Sequence, residues 1–163
     1  MDVERRADEL GSYADEIGLW YEELGAPRIW GRVLGWLLVC EPDFQSAEDL
    51  ATALHSSKGN ISMATKALIR AGMVERQTVR GDRRTYYRIR PEAWTSVFEQ
   101  QARTTTKLRE LAEQGLGLLN GEPAERRRRL DDLRDLTAFY EQEVPALLAR
   151  WRKHRQDIMS ESH

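Results

Sequence analysis

The side chains best suited to chemistry in this sequence are cations, and many of them lie in one short stretch. Between Ser57 and Arg90 the chain carries nine lysines and arginines but only two acidic residues, which gives a net charge of +7. The whole chain has a net charge of −2, so all other residues together sum to −9. A basic segment on an acidic body is typical of nucleic-acid binding, because clustered cations attract and neutralise backbone phosphates.

Local sequence signals predict two short helices in and just before this stretch. Ser46 precedes Asp49 by three residues, which is the spacing of a capping box at the start of a helix. After a turn, Ser57 can cap a second helix that ends near Ala71, because Gly72 suits the residue that follows a helix. The inner face of this second helix is expected to consist of Ile61, Ala64, Leu68 and Ala71.

A β-hairpin with a basic tip is predicted after the second helix. Residues 73–79 and 85–90 are rich in Val, Ile, Thr and Tyr, and Gly81 suits the turn between them. The second helix can enter a major groove of DNA, although its polar face is also compatible with an ordinary solvated helix. The hairpin tip can approach a minor groove, although its charges are also compatible with a salt bridge within the loop. The predicted DNA contacts are Ser57, Lys58, Asn60, Ser62, Met63, Thr65, Lys66, Arg80, Asp82, Arg83 and Arg84.

Residues 1–26 have the pattern of one amphipathic helix. Apolar side chains recur at alternating steps of four and three, so that Val3, Leu10 and Ile17 lie seven residues apart. A helix of this length is marginal alone, so its apolar face needs a partner. That partner is either the core of the same chain alone, or that core together with a second copy of the chain.

Two long helices are predicted after the hairpin. The first begins at Pro91, and the second runs from about residue 124 to residue 154 with a bend at Pro145. Such an arm leaves an apolar stripe open, which a symmetric dimer would cover. Together with the first helix, the stripe predicts a dimer interface containing Val3, Leu10, Ile17, Leu133, Tyr140, Leu147 and Trp151.

Other classes of function have little support in the sequence. The single cysteine, Cys40, excludes an internal disulfide, and its apolar neighbours favour an inert thiol over a redox sensor. No metal-ligand spacing, phosphate loop or nucleophile elbow is present, so we expect neither an enzyme nor a cofactor or metal. The basic run 126–129 is flanked by acidic residues at helical spacing and is expected to be a solvated, paired face. The acidic N-terminus and short apolar runs favour a cytoplasmic protein with no membrane partner.

Several of these motifs carry a family resemblance. Residues 57–62, Ser-Lys-Gly-Asn-Ile-Ser at the start of a helix, and residues 81–84, Gly-Asp-Arg-Arg in a hairpin, resemble the winged helix-turn-helix of MarR-type transcriptional regulators, particularly the GbsR-like branch. Residues 31–40 and 81–86 also resemble the actinobacterial MarR-like repressors of lipid-exporting efflux transporters. The likeness extends over nearly the whole chain.

The resemblance implies roles for individual residues. In such regulators a hairpin aspartate orients an arginine two residues further on, and Asp82 and Arg84 match that pattern. A homodimer would bind a pseudo-palindromic operator in double-stranded DNA. An amphipathic or lipid-like effector would bind between the dimer arm and the DNA-binding lobe, near Trp30, Trp36, Trp94 and Phe98, although each of these side chains is also compatible with an ordinary core.

The sequence thus predicts a mostly α-helical protein with a small β-hairpin wing. The winged helix-turn-helix DNA-binding domain is placed at residues 27–90, a long-helix dimerisation region at 1–26 and 91–158, and a frayed tail at 159–163. The expected function is sequence-specific transcriptional regulation, as a repressor of an efflux or lipid transporter gene. An amphipathic small molecule is expected to release the repressor from DNA. The alternative is a ligand-binding or protein-interaction helical dimer that does not bind DNA.

Overall fold

The computed structural model describes the backbone of residues 3–161 and the side chains of residues 5–160. These residues form two compact units, one ending at Ala93 and the other beginning at Trp94. The mostly helical fold with a small wing is confirmed, and no helix in the described part of the chain is long and apolar enough to cross a membrane. The elements are α1 (Val3–Glu23), α2 (Arg28–Val39), β1 (Phe44–Ser46), α3 (Ala47–Ala53), α4 (Lys58–Arg70), β2 (Val74–Thr78), β3 (Thr85–Ile89), α5 (Ala93–Leu118) and α6 (Ala124–Glu161).

The two helices predicted from capping signals, α3 and α4, begin where the sequence indicates. The Ser46 hydroxyl accepts a hydrogen bond from the Asp49 backbone N–H at 3.1 Å, and the Asp49 carboxylate accepts one from the Ser46 N–H at 3.0 Å. Ser57 caps α4 by accepting from the Asn60 N–H at 3.2 Å. Gly72 has a φ of +73°, a conformation open to glycine, and so ends α4 as predicted.

The wing, defined here as β2, β3 and the turn between them, belongs to a three-stranded antiparallel sheet. Strand β3 lies in the middle and pairs with β2 on one side and with β1 on the other. Strand β1 was not predicted, because three residues that follow Pro42 are too short to show an alternating pattern. It joins the wing to the helical part of the unit, since the Phe44 ring packs edge-to-face on Tyr86 at 5.2 Å between centroids.

The core of the first unit lies between α2, α3, α4 and the sheet, where Leu34, Leu50 and Ile61 are fully buried. The outward placement predicted for Thr65 is wrong: its side chain is only 1% exposed. Thr65 shares the inner face of α4 with Ile61, one turn earlier, and its hydroxyl donates to the Ile61 carbonyl oxygen at 2.9 Å. Ala71, predicted to face inward, is exposed because it lies at the C-terminal cap of the helix.

Helix α1 packs closely along α2 of the same chain and belongs to the first unit, whereas the sequence pattern grouped it with the long arm. Small residues permit this approach: a Cβ at Gly31 would clash with the carbonyl oxygen of Ile17, and a Cβ at Gly35 would lie 2.9 Å from the Ala14 Cα. Leu10 and Ile17 are half-buried. The side chain of Val3, predicted in the same seam, lies outside the described residues.

The second unit consists of α5 and α6, and ion pairs connect the two helices. The Arg109 guanidinium contacts Glu141 of α6 at 2.8 Å, and Arg152 pairs with Glu99. Helix α6 includes Pro145, and the bend expected there stays a prediction. The helix continues through Glu161, so residues 159–161 are helical where a frayed tail was expected. Residues 162 and 163 lie outside the described part of the chain.

The contact between α1 and α2 predicts opposite effects for two glycine substitutions. Gly31→Ala should lower the free energy of unfolding by about 1–3 kcal/mol, because the new methyl group overlaps the α1 backbone. Gly11→Ala is the matched control: no atom lies within 4 Å of its added Cβ, so this variant should gain roughly 0.5–1 kcal/mol from helix propensity. Urea denaturation measures both, and equal stability of the two variants would contradict the close helix contact.

Candidate nucleic-acid interface

The outer face of α4 is the first part of the candidate interface. Met63 is 53% exposed, and Lys58 and Lys66 are also exposed, while Ser62 is partly so. The helix therefore presents one long apolar side chain, a hydroxyl and two cations to solvent, as the sequence predicted except for Thr65. A face of this kind can approach base edges and phosphates within a major groove.

Lys58 lies at the start of α4 beside a carboxylate. Its ammonium group contacts Glu48 of α3 at 3.0 Å, and the two side chains are 74% and 59% exposed. An exposed pair of this kind contributes little to stability, because water screens it. Breaking this pair therefore costs the fold little, although the Glu48 carboxylate remains near any phosphate that Lys58 contacts.

Asp82 organises the tip of the wing. Its carboxylate accepts hydrogen bonds from the Arg84 backbone N–H at 2.8 Å, from the Arg84 Nη2 at 2.8 Å and from the Tyr86 hydroxyl at 2.7 Å. The hydrogen bonds from Arg84, and then that from Tyr86, hold the pKa of Asp82 well below its usual range. The same contact with Asp82 raises the pKa of Arg84. The geometry expected for Asp82 and Arg84 is thus present.

Tyr86 is the residue of this cluster that the sequence did not single out. It is 6% exposed, donates its hydroxyl to Asp82 and lies 5.3 Å from the Arg84 guanidinium, measured to the ring centroid. Because its ring also packs on Phe44, Tyr86 connects the wing tip to β1. The sequence signal that could have identified Tyr86 is its position on the buried face of β3, because the hydroxyl of a buried tyrosine needs a hydrogen-bond partner.

Arg84 is also close to a second carboxylate. The pKa of Asp49, at the start of α3, is lowered first by the hydrogen bond from the Ser46 side chain and to a smaller extent by the charge of Arg84. Arg84, Lys58, Glu48 and Ser46 line one shallow cavity of about 220 Å³ between α3, α4 and the wing. The start of α4 and the wing are therefore brought together, as a two-part DNA contact requires.

The remaining predicted contacts divide into two groups. Arg80 and Arg83 are exposed at the wing tip, and neither has a carboxylate partner among the described side chains. Asn60 is exposed, but its amide donates to the Ser56 hydroxyl at 3.4 Å and lines a separate cavity with Arg28 and Arg32. Asn60 therefore does not share the outer face of α4 with Met63.

Two other sequence interpretations can be compared with the structure. In the basic run 126–129, Arg126 contacts Glu122 at 2.9 Å and Arg128 lies 4.0 Å from Asp132, as expected for a solvated, paired face. Burial raises the pKa of the Cys40 thiol to about 11, which leaves it protonated at neutral pH and favours the inert role.

The second unit contains an apolar groove of about 640 Å³ between α5 and α6. It brings together two sets of predicted residues: Trp94 and Phe98, expected near an effector, and Tyr140, Leu147 and Trp151, expected in a dimer interface. The other predicted effector residues, Trp30 and Trp36, pack against the core of the first unit. Leu133, also predicted at a dimer interface, is half-buried on α6 outside the groove lining.

A short turn, a helix with an exposed basic face and a basic wing define a winged helix-turn-helix protein. A model of the MarR family matches residues 24–85, and a model described as MmpR5-like MarR family transcriptional regulator matches residues 92–154. The chain is 41% identical over 157 residues to HTH-type transcriptional regulator MmpR5 of Mycobacterium tuberculosis (strain ATCC 25618 / H37Rv), a match that covers 93% of this chain and 95% of the relative.

The chain is also similar in structure to a transcriptional regulator whose crystal structure is known. It is 42% identical in sequence, superposes with a TM-score of 0.78 and matches 89% of this chain and 99% of its own. The chain therefore belongs to the MarR family of transcriptional regulators, which bind DNA, and it is not an enzyme.

The lowered pKa of Asp82 predicts a pH dependence of stability. A carboxylate with a depressed pKa in the folded state stabilises the fold above its unfolded pKa of about 3.9, and this contribution is lost as the pH falls further. The melting temperature of Asp82→Asn should therefore lie below that of the parent by a constant amount above about pH 5. The gap should shrink below about pH 4.

Asp8→Asn, at an exposed position of α1, is the matched control and should melt like the parent at every pH. Thermal unfolding followed by circular dichroism measures all three proteins. A gap between the parent and Asp82→Asn that stays constant down to pH 3 would contradict the assignment of Asp82 as an ionised hydrogen-bond acceptor.

Proposed function

We propose that this protein binds a pseudo-palindromic operator as a homodimer and represses an efflux or lipid transporter gene until an amphipathic small molecule releases it. The observation that carries the proposal is the Asp82, Arg84 and Tyr86 cluster at the tip of the wing, close to the exposed face of α4. The proposal has three parts, namely DNA contact, dimerisation and ligand response.

In the DNA-bound state, the N-terminal half of α4 lies in a major groove. Lys58, Ser62, Met63 and Lys66 face the bases and flanking phosphates. Arg84 enters the adjacent minor groove, where narrow A·T-rich segments concentrate negative potential. Because Asp82 and Tyr86 fix the direction of the Arg84 guanidinium before DNA arrives, little side-chain freedom is lost on binding.

Exposed apolar side chains support the dimer. In the second unit Leu118 is 88% exposed, Leu136 67% and Phe139 62%, which is more apolar surface than an isolated helical pair keeps in water. A two-fold symmetric contact covers such surface on both chains at once. The two copies of α4 would then meet half-sites about one helical turn apart, roughly 34–36 Å.

The apolar groove of the second unit supports the ligand response. Its volume of about 640 Å³ lies within the range of small-molecule sites, and Trp94, Phe98 and Trp151 give it aromatic walls. The transporter target rests on the resemblance of residues 31–40 and 81–86 to the actinobacterial MarR-like repressors of lipid-exporting efflux transporters. A ligand releases DNA only if it binds the DNA-incompetent conformation more tightly.

A substitution in the wing tests the DNA contact. Arg84→Ala should weaken binding to an operator, selected from genomic DNA fragments, about tenfold or more, because it removes the cation that enters the minor groove. The slope of the logarithm of affinity against the logarithm of salt concentration should also become shallower by about one. Fluorescence anisotropy measures affinity and salt slope, and sedimentation of the complex should give two chains per duplex.

Arg128→Ala removes the same charge from an exposed position on α6 and serves as the control, which should bind like the parent. Arg128→Ala should melt at the parent temperature, since Arg128 is 81% exposed, whereas Arg84→Ala should melt slightly lower, because Asp82 loses its hydrogen bonds from the Arg84 guanidinium. Circular dichroism should show both variants folded at the assay temperature. If Arg84→Ala binds the operator as tightly as Arg128→Ala does, the wing assignment is wrong.

A substitution in the groove tests the ligand response. Oleate, a single-chain amphiphile, should release the parent from its operator, and Phe98→Asp should need at least about tenfold more oleate, because a carboxylate in the groove is costly beside an acyl chain. Gln114→Asp introduces the same charge at an exposed position of α5 outside the groove lining and is the control. Anisotropy of labelled operator follows release, and equal oleate sensitivity of both variants would exclude the groove as the ligand site.

A further inference from the structure

The first unit contains a polar cavity whose lining includes only one of the predicted DNA contacts, Asn60. It has a volume of about 410 Å³ and lies where α1 and α2 meet the turn before α4. It is lined by Asp15, Arg28, Ile29, Arg32, Ser56 and Asn60. Two of these side chains are cations and two are neutral hydrogen-bonding groups, so the lining suits an anion.

The two arginines differ in their partners. The Arg32 guanidinium contacts the Asp15 carboxylate at 2.5 Å, and the Arg32 side chain is only 24% exposed, so it is held in place. Arg28 is exposed and has no carboxylate partner among the described side chains. With one carboxylate for two guanidinium groups, the lining keeps a net positive charge of one, and Arg28 carries it.

The stems of both arginines are held against α1 by a glycine. A Cβ at Gly18 would lie 2.6 Å from the Cγ of Arg32 and 3.1 Å from the Cγ of Arg28. Gly18 therefore allows both side chains to lie along the α1 backbone before they reach the cavity. A cation whose stem is packed in this way loses less conformational freedom when it binds an anion than a free surface arginine does.

Asn60 places the cavity next to the DNA-reading part of α4. It lies in the first turn of α4, between Lys58 and Ser62, yet its amide nitrogen donates to the Ser56 hydroxyl on the cavity side. One amide hydrogen remains available for an anion. In this orientation one of the amide groups is directed into the cavity, so the amide is not placed for a paired contact with a base edge.

We infer that this cavity binds a phosphate group of the DNA backbone beside the major groove that α4 occupies, with Arg28 as the charged contact and Asn60 as a hydrogen-bond donor. The inference rests on the proposed DNA-binding function and extends it to α2. Such a contact fixes the position of the protein on the duplex without reading sequence. Asp15 acts through Arg32, whose guanidinium it positions at the cavity wall.

The test compares specific and non-specific binding. Arg28→Ala should weaken binding to the selected operator and to an unrelated duplex of equal length by the same factor, about tenfold, and reduce the salt slope by about one. Asn60→Ala should also weaken both duplexes by a common factor. Arg28→Lys should recover part of the loss, because the charge remains. Arg6→Ala, an exposed position of α1, is the charge-matched control and should bind like the parent.

The outcomes separate this inference from the proposed function. If the parent binds no duplex, both are overturned. If the parent binds DNA and Arg28→Ala binds both duplexes with the affinity of the parent, only the cavity assignment is wrong. A loss in Asn60→Ala confined to the operator would restore base reading by Asn60. If inorganic phosphate, titrated without DNA and followed by NMR, shifts the parent but not Arg28→Ala while DNA affinities stay equal, the cavity takes a free anion and the DNA assignment is wrong.

Discussion

The position of the wing depends on one partly buried carboxylate. Asp82 accepts hydrogen bonds from the Arg84 backbone, the Arg84 guanidinium and the Tyr86 hydroxyl, and Tyr86 packs on Phe44 of β1. Because water screens charges at this site, the contribution of the cluster is to orientation more than to stability. The direction of Arg84 relative to α4 is set by a sheet whose outer strand leads directly into α3.

Much of the fold could be predicted because its signals are local. The caps at Ser46 and Ser57 and the glycine at position 72 mark helix ends within a few residues of sequence, and the structure has those ends. Strand β1 carries no such signal, since three residues cannot show a period. Thr65 was misplaced because residue polarity was given more weight than its position one turn from Ile61.

The candidate site was predictable where its residues are neighbours in sequence and not where tertiary packing assembles it. Asp82 and Arg84 lie two residues apart in one hairpin and were predicted, whereas Tyr86 was not, because its role depends on packing against β1. The cavity beside Asn60 joins α1, α2 and the turn before α4. A periodic apolar stripe also does not specify its partner. Ile17 packs against the glycines of α2 in its own chain, and its further contact across a dimer interface stays a prediction.

The pair between Lys58 and Glu48 has a consequence for discrimination between polyanions. Any phosphate that reaches Lys58 must come close to the Glu48 carboxylate, which repels it. Loosely associated polyanions, such as unstructured RNA, experience this repulsion without compensating contacts elsewhere on the surface. A duplex that engages α4 and the wing together offsets it, so an acidic residue inside a basic surface favours well-fitted nucleic acid over nonspecific adsorption.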